Sequence, residues 1–397
     1  MQSPSPTLAR PAPLPSGAQR FADAADTRAM AQRRLPRMVF DYIDGAAGRE
    51  TAAQANRARL DALRLLPRVL QPSDGAKLAT DFLGQTLAQP WGIAPMGLCN
   101  LAWPGADTIL ARAASQRGMP LGVSTAASTD LETLHRLSAG NAWFQLYVTG
   151  GTEAALALAD RAAQAGYRYL ILTVDVPKVA PRPRDVRNGF AMPLRLGPAQ
   201  VWDFAMHPAW SLSTLWAGVP RTANFSGQAA FDRYASRAGA NWEFLDRLRA
   251  HWKGQLIVKG VLRPQDAVRI RDAGADAVYV SNHGGRQLDS APAAIDQLTQ
   301  IRAAVGSNFP LVFDSGIRSG EDVVKALASG ANLVMLGRAA LYAIAAGGAQ
   351  ALDQYLDAVQ ESALTALVQL GVRSPAELGP QLFVQNPTHT PQHQERL

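Results

Sequence analysis

One short segment of the sequence combines a candidate base, an anion-binding side chain and glycines. Residues 281–289 read Ser-Asn-His-Gly-Gly-Arg-Gln-Leu-Asp. The imidazole of His283 has an unperturbed pKa suited to proton transfer near neutrality, and Arg286 can hold a carboxylate through two parallel hydrogen bonds. The intervening glycines allow unusual backbone angles and close approach of a ligand. A histidine taken alone is more often a structural residue, so its interpretation as a base depends on what surrounds it.

The elements around this segment follow the pattern of a parallel barrel. Eight short apolar or β-branched runs alternate with Ala-rich amphipathic segments, at residues 91–95, 121–124, 143–148, 169–175, 255–259, 277–281, 311–314 and 333–336. Eight βα units predict an α/β fold, a closed (β/α)8 TIM barrel. An open doubly wound sheet is disfavoured because no Gly-x-Gly-x-x-Gly follows the first run.

The spacing of the runs indicates one main domain over residues 21–384. Residues 21 to about 66 have helical periodicity and predict a helical cap before the barrel. The long gap between the fourth and fifth runs predicts an insertion at about 182–240, on the face where barrels carry active-site loops. Residues 1–20 and 385–397 are interpreted as flexible tails.

Composition narrows the class of protein. Hydrophobic residues make up 47% of the chain and charged residues 18%, which is typical of a large folded core. The net charge of +7 comes mainly from scattered arginines, so nucleic-acid binding is not expected. The single cysteine, Cys99, excludes an internal disulfide, and no metal site is predicted. No apolar run is long enough for a transmembrane helix or a secretory signal, so we expect a cytoplasmic protein.

Polar residues and glycines stand at the C-terminal ends of the predicted strands. Each taken alone is an ordinary strand end, but in a barrel all eight ends meet at one mouth, which predicts a polar ligand there. The residues are Pro95, Met96, Gly97, Ser124, Gln145, Tyr147, Thr173, Asp175, Lys259, Ser281, Asp314, Ser315, Gly316, Gly337 and Arg338.

The last two strand ends predict a phosphate site. Residues 314–320 read Asp-Ser-Gly-Ile-Arg-Ser-Gly and precede a predicted helix, and Gly337-Arg338 begins the next one. Small residues expose backbone N–H groups, and the N-terminus of a helix favours anions. Loops after strands seven and eight are the usual phosphate site of barrels, so we expect a phosphate-bearing cofactor.

These motifs resemble the FMN-dependent 2-hydroxy acid oxidase/dehydrogenase family, and most closely its membrane-associated (S)-mandelate and L-lactate dehydrogenases. The likeness runs from about residue 34 to residue 383. It includes all of residues 281–289 and, in the same order along the chain, Phe40-Asp41-Tyr42, residues 143–147, Thr173-Val174-Asp175, Val258-Lys259-Gly260 and residues 314–318.

The resemblance implies a role for each substrate-facing residue. His283 would accept the proton of the substrate, and Asp175 would pair with it and stabilise the imidazolium. Arg182 and Arg286 would bind the substrate carboxylate, while the side chains of Tyr42 and Tyr147 would form hydrogen bonds to the carboxylate or hydroxyl. Relatives often have Arg-Glu-Arg where this chain has Arg182-Pro183-Arg184, so the choice of Arg182 over Arg184 depends on register.

The resemblance also implies an FMN site. Lys259 would lie at the N1/O2 edge of the flavin. The pyrimidine edge would be held by Ser124, Gln145 and Thr173, and the Pro95-Met96-Gly97 backbone would lie near N5. The phosphate would be bound by Gly316, Arg318 and Arg338, with Ser281, Asp314, Ser315 and Gly337 completing the cofactor site.

Two small residues and the insertion bear on the substrate and the electron acceptor. Ala126 stands where glycolate oxidase has tryptophan, which leaves room for a bulky side group, and Gly97 stands where oxidases tend to have alanine, which favours a dehydrogenase. The insertion carries Trp202, Trp210 and Trp216 within residues 200–217. Two interpretations remain open for it: a membrane contact that would give access to a quinone, and a lid or subunit contact.

The first hypothesis is an FMN-dependent (S)-2-hydroxy acid dehydrogenase that forms the 2-oxo acid, with a bulky or aromatic substrate such as mandelate, or else lactate. Electrons would pass to a quinone or another acceptor, and the enzyme would be a homotetramer, cytoplasmic or peripheral to the inner face of the cell membrane. Alternatives are an oxidase that forms hydrogen peroxide, an FMN-dependent barrel isomerase and a non-catalytic flavin-binding protein. Hydride and carbanion mechanisms both remain open.

Overall fold

The computed structural model describes residues 21–384, except residues 73, 192–193, 195–196 and 226–235. The two tails predicted at residues 1–20 and 385–397 lie outside the described residues.

Three helices precede the barrel: α1 (Ala24–Arg34), α2 (Arg37–Asp44) and α3 (Thr51–Ala62). The side chain of Asp23 caps α1 by accepting hydrogen bonds from the backbone N–H groups of residues 25 and 26. Helix α2 buries Met38, Val39, Phe40 and Ile43 at helical spacing, which turns one of its faces toward the domain. The C-terminal end of α2 meets the mouth of the barrel, and this contact shapes the functional site.

The strands form a closed parallel barrel, as predicted. After a hairpin of β1 (Thr80–Phe82) and β2 (Gln85–Leu87), the barrel consists of β3 (Trp91–Met96), β4 (Leu121–Ser124), β5 (Ala142–Leu146), β6 (Tyr169–Thr173), β7 (Gln255–Val261), β8 (Ala277–Val280), β9 (Leu311–Phe313) and β10 (Leu333–Leu336). Strand β10 pairs with β3 and closes the ring.

Two strands have the predicted bounds, and the others differ by one or two residues at one end or at both. Strand β6 ends at Thr173, so Asp175 lies in the loop beyond it rather than in the strand. The β1–β2 hairpin was not predicted, because three-residue strands are too short to show a period. Its Phe82 stacks on Trp143 with ring centroids 5.7 Å apart, and both belong to a buried cluster of barrel residues.

The cluster explains why ligands are confined to one end of the barrel. Trp143, Tyr169, Ile257 and Tyr279 are buried together with other strand residues. Side chains therefore fill the barrel as a packed core, and space for a ligand remains at the C-terminal mouth.

The remaining helices surround the strands. They are α4 (Ala106–Arg117), α5 (Leu131–Leu137), α6 (Thr152–Gln164), α7 (Pro183–Arg187), α8 (Pro198–Ala205), α9 (Pro208–Ala217), α10 (Trp242–His251), α11 (Pro264–Asp272), α12 (Ala294–Val305), α13 (Gly320–Ala328) and α14 (Arg338–Leu370). Helix α14 packs on α1 and is interrupted at Gly347 and Gly348, whose backbone angles are not helical.

Helices α7, α8 and α9 occupy the predicted insertion between β6 and α10. Each begins with proline at its first position, where the missing N–H would have had no helical partner. Trp210 and Thr214 on α9 are buried, and the indole N–H of Trp210 donates to the carbonyl of Leu101 at 2.8 Å. The insertion is thereby attached to the loop that follows β3.

Candidate active site

A cavity of about 900 Å³ lies at the C-terminal mouth of the barrel. Most of the predicted site residues line it: Tyr42, Pro95, Met96, Gly97, Ser124, Ala126, Tyr147, Arg182, Lys259, His283, Arg286, Asp314, Ser315, Gly316, Arg318, Gly337 and Arg338. The other four, Gln145, Thr173, Asp175 and Ser281, stand behind this lining and form hydrogen bonds to it or to one another.

His283 and Asp175 form a close pair at the cavity wall. The imidazole Nδ1 lies 3.2 Å from both carboxylate oxygens of Asp175. Burial lowers the pKa of His283, Lys259 adds to this, and the attraction of Asp175 offsets only part of it. Burial raises the pKa of Asp175, but the charge and hydrogen bond of His283, together with Lys259, outweigh this and hold it below the ordinary carboxyl value. The pair therefore combines an ionised carboxylate with a neutral imidazole whose Nε2 is the basic nitrogen.

The backbone at His283 adopts the left-handed conformation, with φ of 57°, which is uncommon for a residue with a side chain. Neighbouring contacts hold it there. The N–H of His283 donates to Oγ of Ser281 at 2.9 Å. The side chains of Asn282 and Asn56 exchange two hydrogen bonds of 2.8 and 2.9 Å. The turn that presents the base is thus anchored to both the barrel and α3.

The rest of the 281–289 segment is equally bound to the helical cap. Gly285 has φ of 77°, and a Cβ there would lie 2.5 Å from the backbone nitrogen of Ala53, so only glycine fits. The carboxylate of Asp289 accepts hydrogen bonds of 2.7 Å from the N–H groups of Arg49 and Thr51, at the start of α3. This motif therefore lines the cavity and also joins the barrel to the cap.

Lys259 is held in a buried charge network. Its Nζ donates to Oγ of Ser281 at 2.8 Å and lies 3.3 Å from Oδ2 of Asp314. Asp314 also accepts hydrogen bonds from the side chains of Tyr279, at 2.8 Å, and Ser315, at 2.8 Å. An ammonium group fixed in this way, with access to the cavity, can stabilise negative charge on a bound ring system.

The predicted pyrimidine-binding residues form one buried chain of hydrogen bonds. The hydroxyl of Ser124 donates to Oε1 of Gln145 at 3.1 Å, and Nε2 of Gln145 donates to the hydroxyl of Thr173 at 3.0 Å. This chain crosses three adjacent strands, β4, β5 and β6. A rigid polar edge of donors and acceptors suits a flat heterocycle.

The structure distinguishes the two arginines that the sequence left in question. Arg182 lines the cavity, 3.9 Å from Asp185. Arg184 points the other way and donates to Asp41, Asp44 and Glu50 at 3.2, 2.7 and 2.7 Å. Of these two side chains only Arg182 is placed to meet a ligand carboxylate.

Tyr42 and Tyr147 lie on the same cavity. The ring of Tyr42 stacks on Phe190, with centroids 4.3 Å apart. The guanidinium carbon of Arg286 lies over the Tyr42 ring, 5.4 Å from its centroid. Burial, followed by the nearby charge of Asp175, raises the pKa of Tyr147 above its usual range, so its hydroxyl remains a donor at neutral pH. Both phenols can therefore orient an oxygen-rich ligand.

The mouth of the cavity beside α14 fits a phosphate. Gly337 precedes the N-terminus of α14, and a Cβ built there meets no atom within 4 Å. Burial, with repulsion from Arg286 and Arg318, lowers the pKa of Arg338 to about 10. The guanidinium groups of Arg318 and Arg338 repel each other beside this helix N-terminus until an anion joins them. The donor set therefore matches the phosphate of FMN.

Some contributors were not predicted from the sequence. The residues that support or line the site without having been predicted are Asn56, Tyr279, Phe190 and Arg237. The guanidinium of Arg237 lies 4.8 Å from the ring centroid of Tyr147. Asn56 and Tyr279 lie in ordinary helix and strand patterns, and Arg237 is one scattered arginine among many. Nothing local in the sequence distinguishes them.

Gly97 and Ala126 form a small-residue wall. A Cβ at Gly97 would lie 3.0 Å from Cβ of Ala126, and the N–H of Leu98 donates to the carbonyl of Ala126 at 2.9 Å. The two loops are therefore in direct contact, and a larger side chain at either position would enter the cavity.

The insertion has one side that lines the cavity and an outer side that exposes apolar residues. Trp210, Ser211 and Thr214 of α9 line the cavity, so the insertion covers the site. Its outer surface exposes Val201, Trp202, Met206, Leu212, Leu215, Trp216 and Val219, with Trp216 94% exposed.

The fold and the site together define a class. A (β/α)8 barrel that brings arginines beside the N-terminus of α14, a buried lysine and a histidine–carboxylate pair to one cavity has the features of a flavin-dependent barrel enzyme. Sequence comparison specifies the class further: residues 31–385 match the FMN-dependent dehydrogenase family, and the chain belongs to it.

Individual relatives cover almost the whole chain. It is similar to (S)-mandelate dehydrogenase of Pseudomonas putida, with 39% identity over 93% of this chain and 95% of that protein. It is also similar to L-lactate dehydrogenase of Pseudomonas syringae pv. syringae, with 36% identity over 92% and 98% of the two chains. The crystal structure of the monotopic membrane protein (S)-mandelate dehydrogenase superposes with a TM-score of 0.89 at 38% identity, covering 93% of this chain and all of that one.

These findings confirm the predicted family, barrel fold and FMN cofactor, and with them the oxidation of 2-hydroxy acids. The individual roles of the site residues remain predictions that the geometry supports.

Proposed function

We propose that this enzyme oxidises (S)-2-hydroxy acids with a bulky or aromatic side group, mandelate before lactate, and passes the electrons to a membrane quinone. The observation that carries the substrate proposal is the contrast within one cavity. One end of the cavity is polar and is lined by His283, Arg182 and Arg286. The apolar lining elsewhere is formed by Ala126, Val176, Leu194, Phe204 and Phe225. A hydroxy acid with an apolar side group matches both parts.

The side chains of this chain would share the work of the reaction. Arg182 and Arg286 hold the carboxylate, and Tyr147 donates a hydrogen bond to the substrate. His283 accepts a substrate proton at Nε2, and the ionised Asp175 at 3.2 Å stabilises the imidazolium that results. FMN, when bound, supplies the two-electron acceptor of the oxidation.

A screen of substrates of increasing size tests this proposal. Under anaerobic conditions, flavin bleaching should be faster with mandelate than with lactate, and slowest with glycolate. In Ala126→Trp, the added ring would occupy the space beside Gly97, so the mandelate rate should fall at least about tenfold more than the glycolate rate. Equal losses for both substrates would contradict the placement of the side group at Ala126, and failure of every 2-hydroxy acid to bleach the flavin would favour a barrel isomerase.

The outer surface of α8 and α9 supports the membrane part of the proposal. Residues 198–219 contain no lysine or arginine, and exposed side chains there include Trp202, Met206 and Trp216. Such a surface suits the interface of a lipid bilayer. Within the described ranges no helix is long and apolar enough to cross a membrane. We therefore propose peripheral attachment at the inner face of the cell membrane.

The same segment supports a route for the acceptor. Leu215 and Val219 are exposed on the apolar surface and also border the cavity. An apolar molecule in the lipid phase would thus meet the cavity mouth directly at α9. A quinone fits this route better than a water-soluble acceptor does.

Vesicle flotation tests the membrane contact. Trp202→Glu/Trp216→Glu should lose binding to phospholipid vesicles by at least about tenfold, because each change removes a large apolar contact. The matched control is Val69→Glu, which changes an exposed apolar residue far from the insertion in sequence. Equal flotation of the wild type and the double variant would refute the contact.

Reoxidation kinetics test the acceptor. Reduced enzyme should react quickly with a quinone in vesicles and slowly with air, and fast reaction with air would instead establish an oxidase. Leu215→Arg should slow reoxidation by quinone more than Val201→Arg does. Val201 is exposed on the same surface but does not line the cavity. The homotetramer expected from the family remains a prediction, which light scattering of the detergent-solubilised enzyme would test.

A further inference from the structure

The C-terminal end of α2 holds two functional arginines at once. The carbonyl of Gly45 accepts hydrogen bonds from Arg286 at 2.6 Å and from Arg338 at 3.1 Å. The carbonyl of Ile43 accepts from the same two side chains, at 3.4 and 3.2 Å. Carbonyls at the end of a helix have no partner within the helix and carry partial negative charge, so they attract cations. One short segment therefore positions the carboxylate-binding and the phosphate-binding arginine.

The residue between these carbonyls is Asp44, and three elements fix its side chain. Arg28 of α1 donates to both carboxylate oxygens at 2.7 and 2.8 Å. Arg184 of α7 and Tyr342 of α14 each donate at 2.7 Å. The carboxylate is only 7% exposed, and the hydrogen bonds of these partners outweigh burial and hold the pKa of Asp44 well below its usual range.

The position of this carboxylate is unfavourable for the helix itself. Asp44 is the last residue of α2, where the helix dipole disfavours a negative charge. Burial adds a further penalty that the surrounding donors must offset. Nothing within α2 itself stabilises a carboxylate at position 44. Its contacts tie the cap, the insertion and α14 to the segment that holds Arg286 and Arg338.

We propose that Asp44 is a positioning residue that couples the FMN phosphate site to the substrate carboxylate site. The inference rests on the proposed function only in assigning Arg286 to the substrate. Arg286 and Arg338 repel each other, and Arg286 contributes to the lowered pKa of Arg338. A phosphate bound at Arg338 relieves this repulsion and lets both guanidinium groups remain on the shared carbonyls. The pre-positioned Arg286 then binds a carboxylate more tightly, and by linkage a carboxylate strengthens binding of the phosphate.

The test compares FMN with riboflavin, which lacks the phosphate, in apoprotein reconstituted with either flavin. The dissociation constant of oxalate is measured from the perturbed flavin absorbance, so the result does not depend on which 2-hydroxy acid is the natural substrate. In the wild type, oxalate should bind at least about fivefold more tightly to the FMN form, a ratio typical of coupled sites. In Asp44→Asn this ratio should fall toward one. FMN affinity, measured by quenching of flavin fluorescence, should fall as well.

Asp41→Asn is the matched control. Asp41 also accepts hydrogen bonds from Arg184, at 3.2 Å, and from Asn188, but in the contacts described its carboxylate does not bind Arg28 of α1 or Tyr342 of α14, as that of Asp44 does. This variant should retain the wild-type ratio. Arg28→Gln, which removes only one partner of Asp44, should give an intermediate ratio and guards against misfolding of Asp44→Asn.

The outcomes separate this proposal from the function proposed above. A wild-type ratio retained in Asp44→Asn, or the same loss in Asp41→Asn, would overturn the coupling. If mandelate and lactate fail to bleach the flavin while the oxalate ratio depends on Asp44, the substrate assignment fails and the coupling stands.

Discussion

Replacing Asp175 with asparagine isolates the charge that supports the base. Asparagine keeps the size of the side chain and can still accept a hydrogen bond from Nδ1 of His283, which lies 3.2 Å from both carboxylate oxygens. The variant therefore loses the negative charge and little else. Because Asp175 stands behind the cavity lining, substrate binding should change much less than the rate of flavin reduction.

The size of the effect follows from the separation of the charges. With charge centres about 4 Å apart and an effective dielectric constant of about 20, the carboxylate attracts an imidazolium by about 4 kcal/mol. That attraction appears only as the base takes up its proton, so it lowers the barrier rather than the energy of the bound substrate. Its loss corresponds to about 10³-fold in rate, since each factor of ten requires about 1.4 kcal/mol.

The assay is anaerobic stopped-flow bleaching of the flavin at saturating mandelate. Asp160→Asn is the control: Asp160 pairs with His251 at 2.5 Å on the surface, so the same substitution is made in a histidine–aspartate pair outside the cavity. We expect a loss of about 10³-fold in Asp175→Asn and none in Asp160→Asn. A reduction rate for Asp175→Asn within about threefold of the wild type would refute the reasoning that the charge of Asp175 stabilises an imidazolium at His283 in the step that limits flavin reduction.

Three further predictions follow from the site. Burial lowers the pKa of His283, and only the neutral imidazole accepts a proton. The reduction rate should therefore be flat from neutral pH upward and should fall as His283 is protonated below its ordinary pKa. A midpoint above about 6.5 in a stopped-flow pH series would contradict this. Arg182→Gln should weaken binding of a 2-hydroxy acid by about 10- to 100-fold through loss of charged hydrogen bonds. The control Arg187→Gln, on the exposed side of α7, should not change this binding. Equal dissociation constants for both variants would argue against Arg182 as a ligand. Gly285→Ala combines a φ of 77° with a clash against Ala53 and should lower the free energy of unfolding by about 1–3 kcal/mol. Gly140→Ala, with φ of 83° and no atom within 4 Å of its Cβ, should cost about 1 kcal/mol; denaturant titrations compare the two, and an equal loss in both would show that the contact with Ala53 is not tight.

More of this site can be predicted from the sequence than is usual, because the functional residues of a (β/α)8 barrel directly follow the C-terminal ends of its strands. Strand ends of a (β/α)8 barrel meet at one mouth, so counting eight runs is enough to bring Lys259, His283 and Arg338 together. The helical cap and the insertion follow from periodicity and spacing. Bounds that depend on hydrogen bonding to a neighbouring strand, such as the end of β6 before Asp175, were less well predicted.

Other features follow from contacts between residues far apart in the chain. The sequence favours Arg182 over Arg184 as the carboxylate ligand only through the register of the family resemblance, and it is the packing of α7 against α2 that turns Arg184 toward Asp41, Asp44 and Glu50. Likewise, the apolar residues of α9 cannot be divided into lid and outer surface until the helix is placed over the cavity.

The end of α2 shows the difference most clearly. Residue types and spacing along the chain predicted the barrel, a phosphate-bearing cofactor and the histidine–arginine motif, because strand and helix periods and turn glycines are local properties. The family resemblance then identified that cofactor as FMN. Only the tertiary structure decided that Ile43 and Gly45 hold both Arg286 and Arg338, and that Asp44 is bound by three separate helices. The physical reason is that the direction of a long charged side chain is set by the nearest partner in space, and such partners can be hundreds of residues away in sequence.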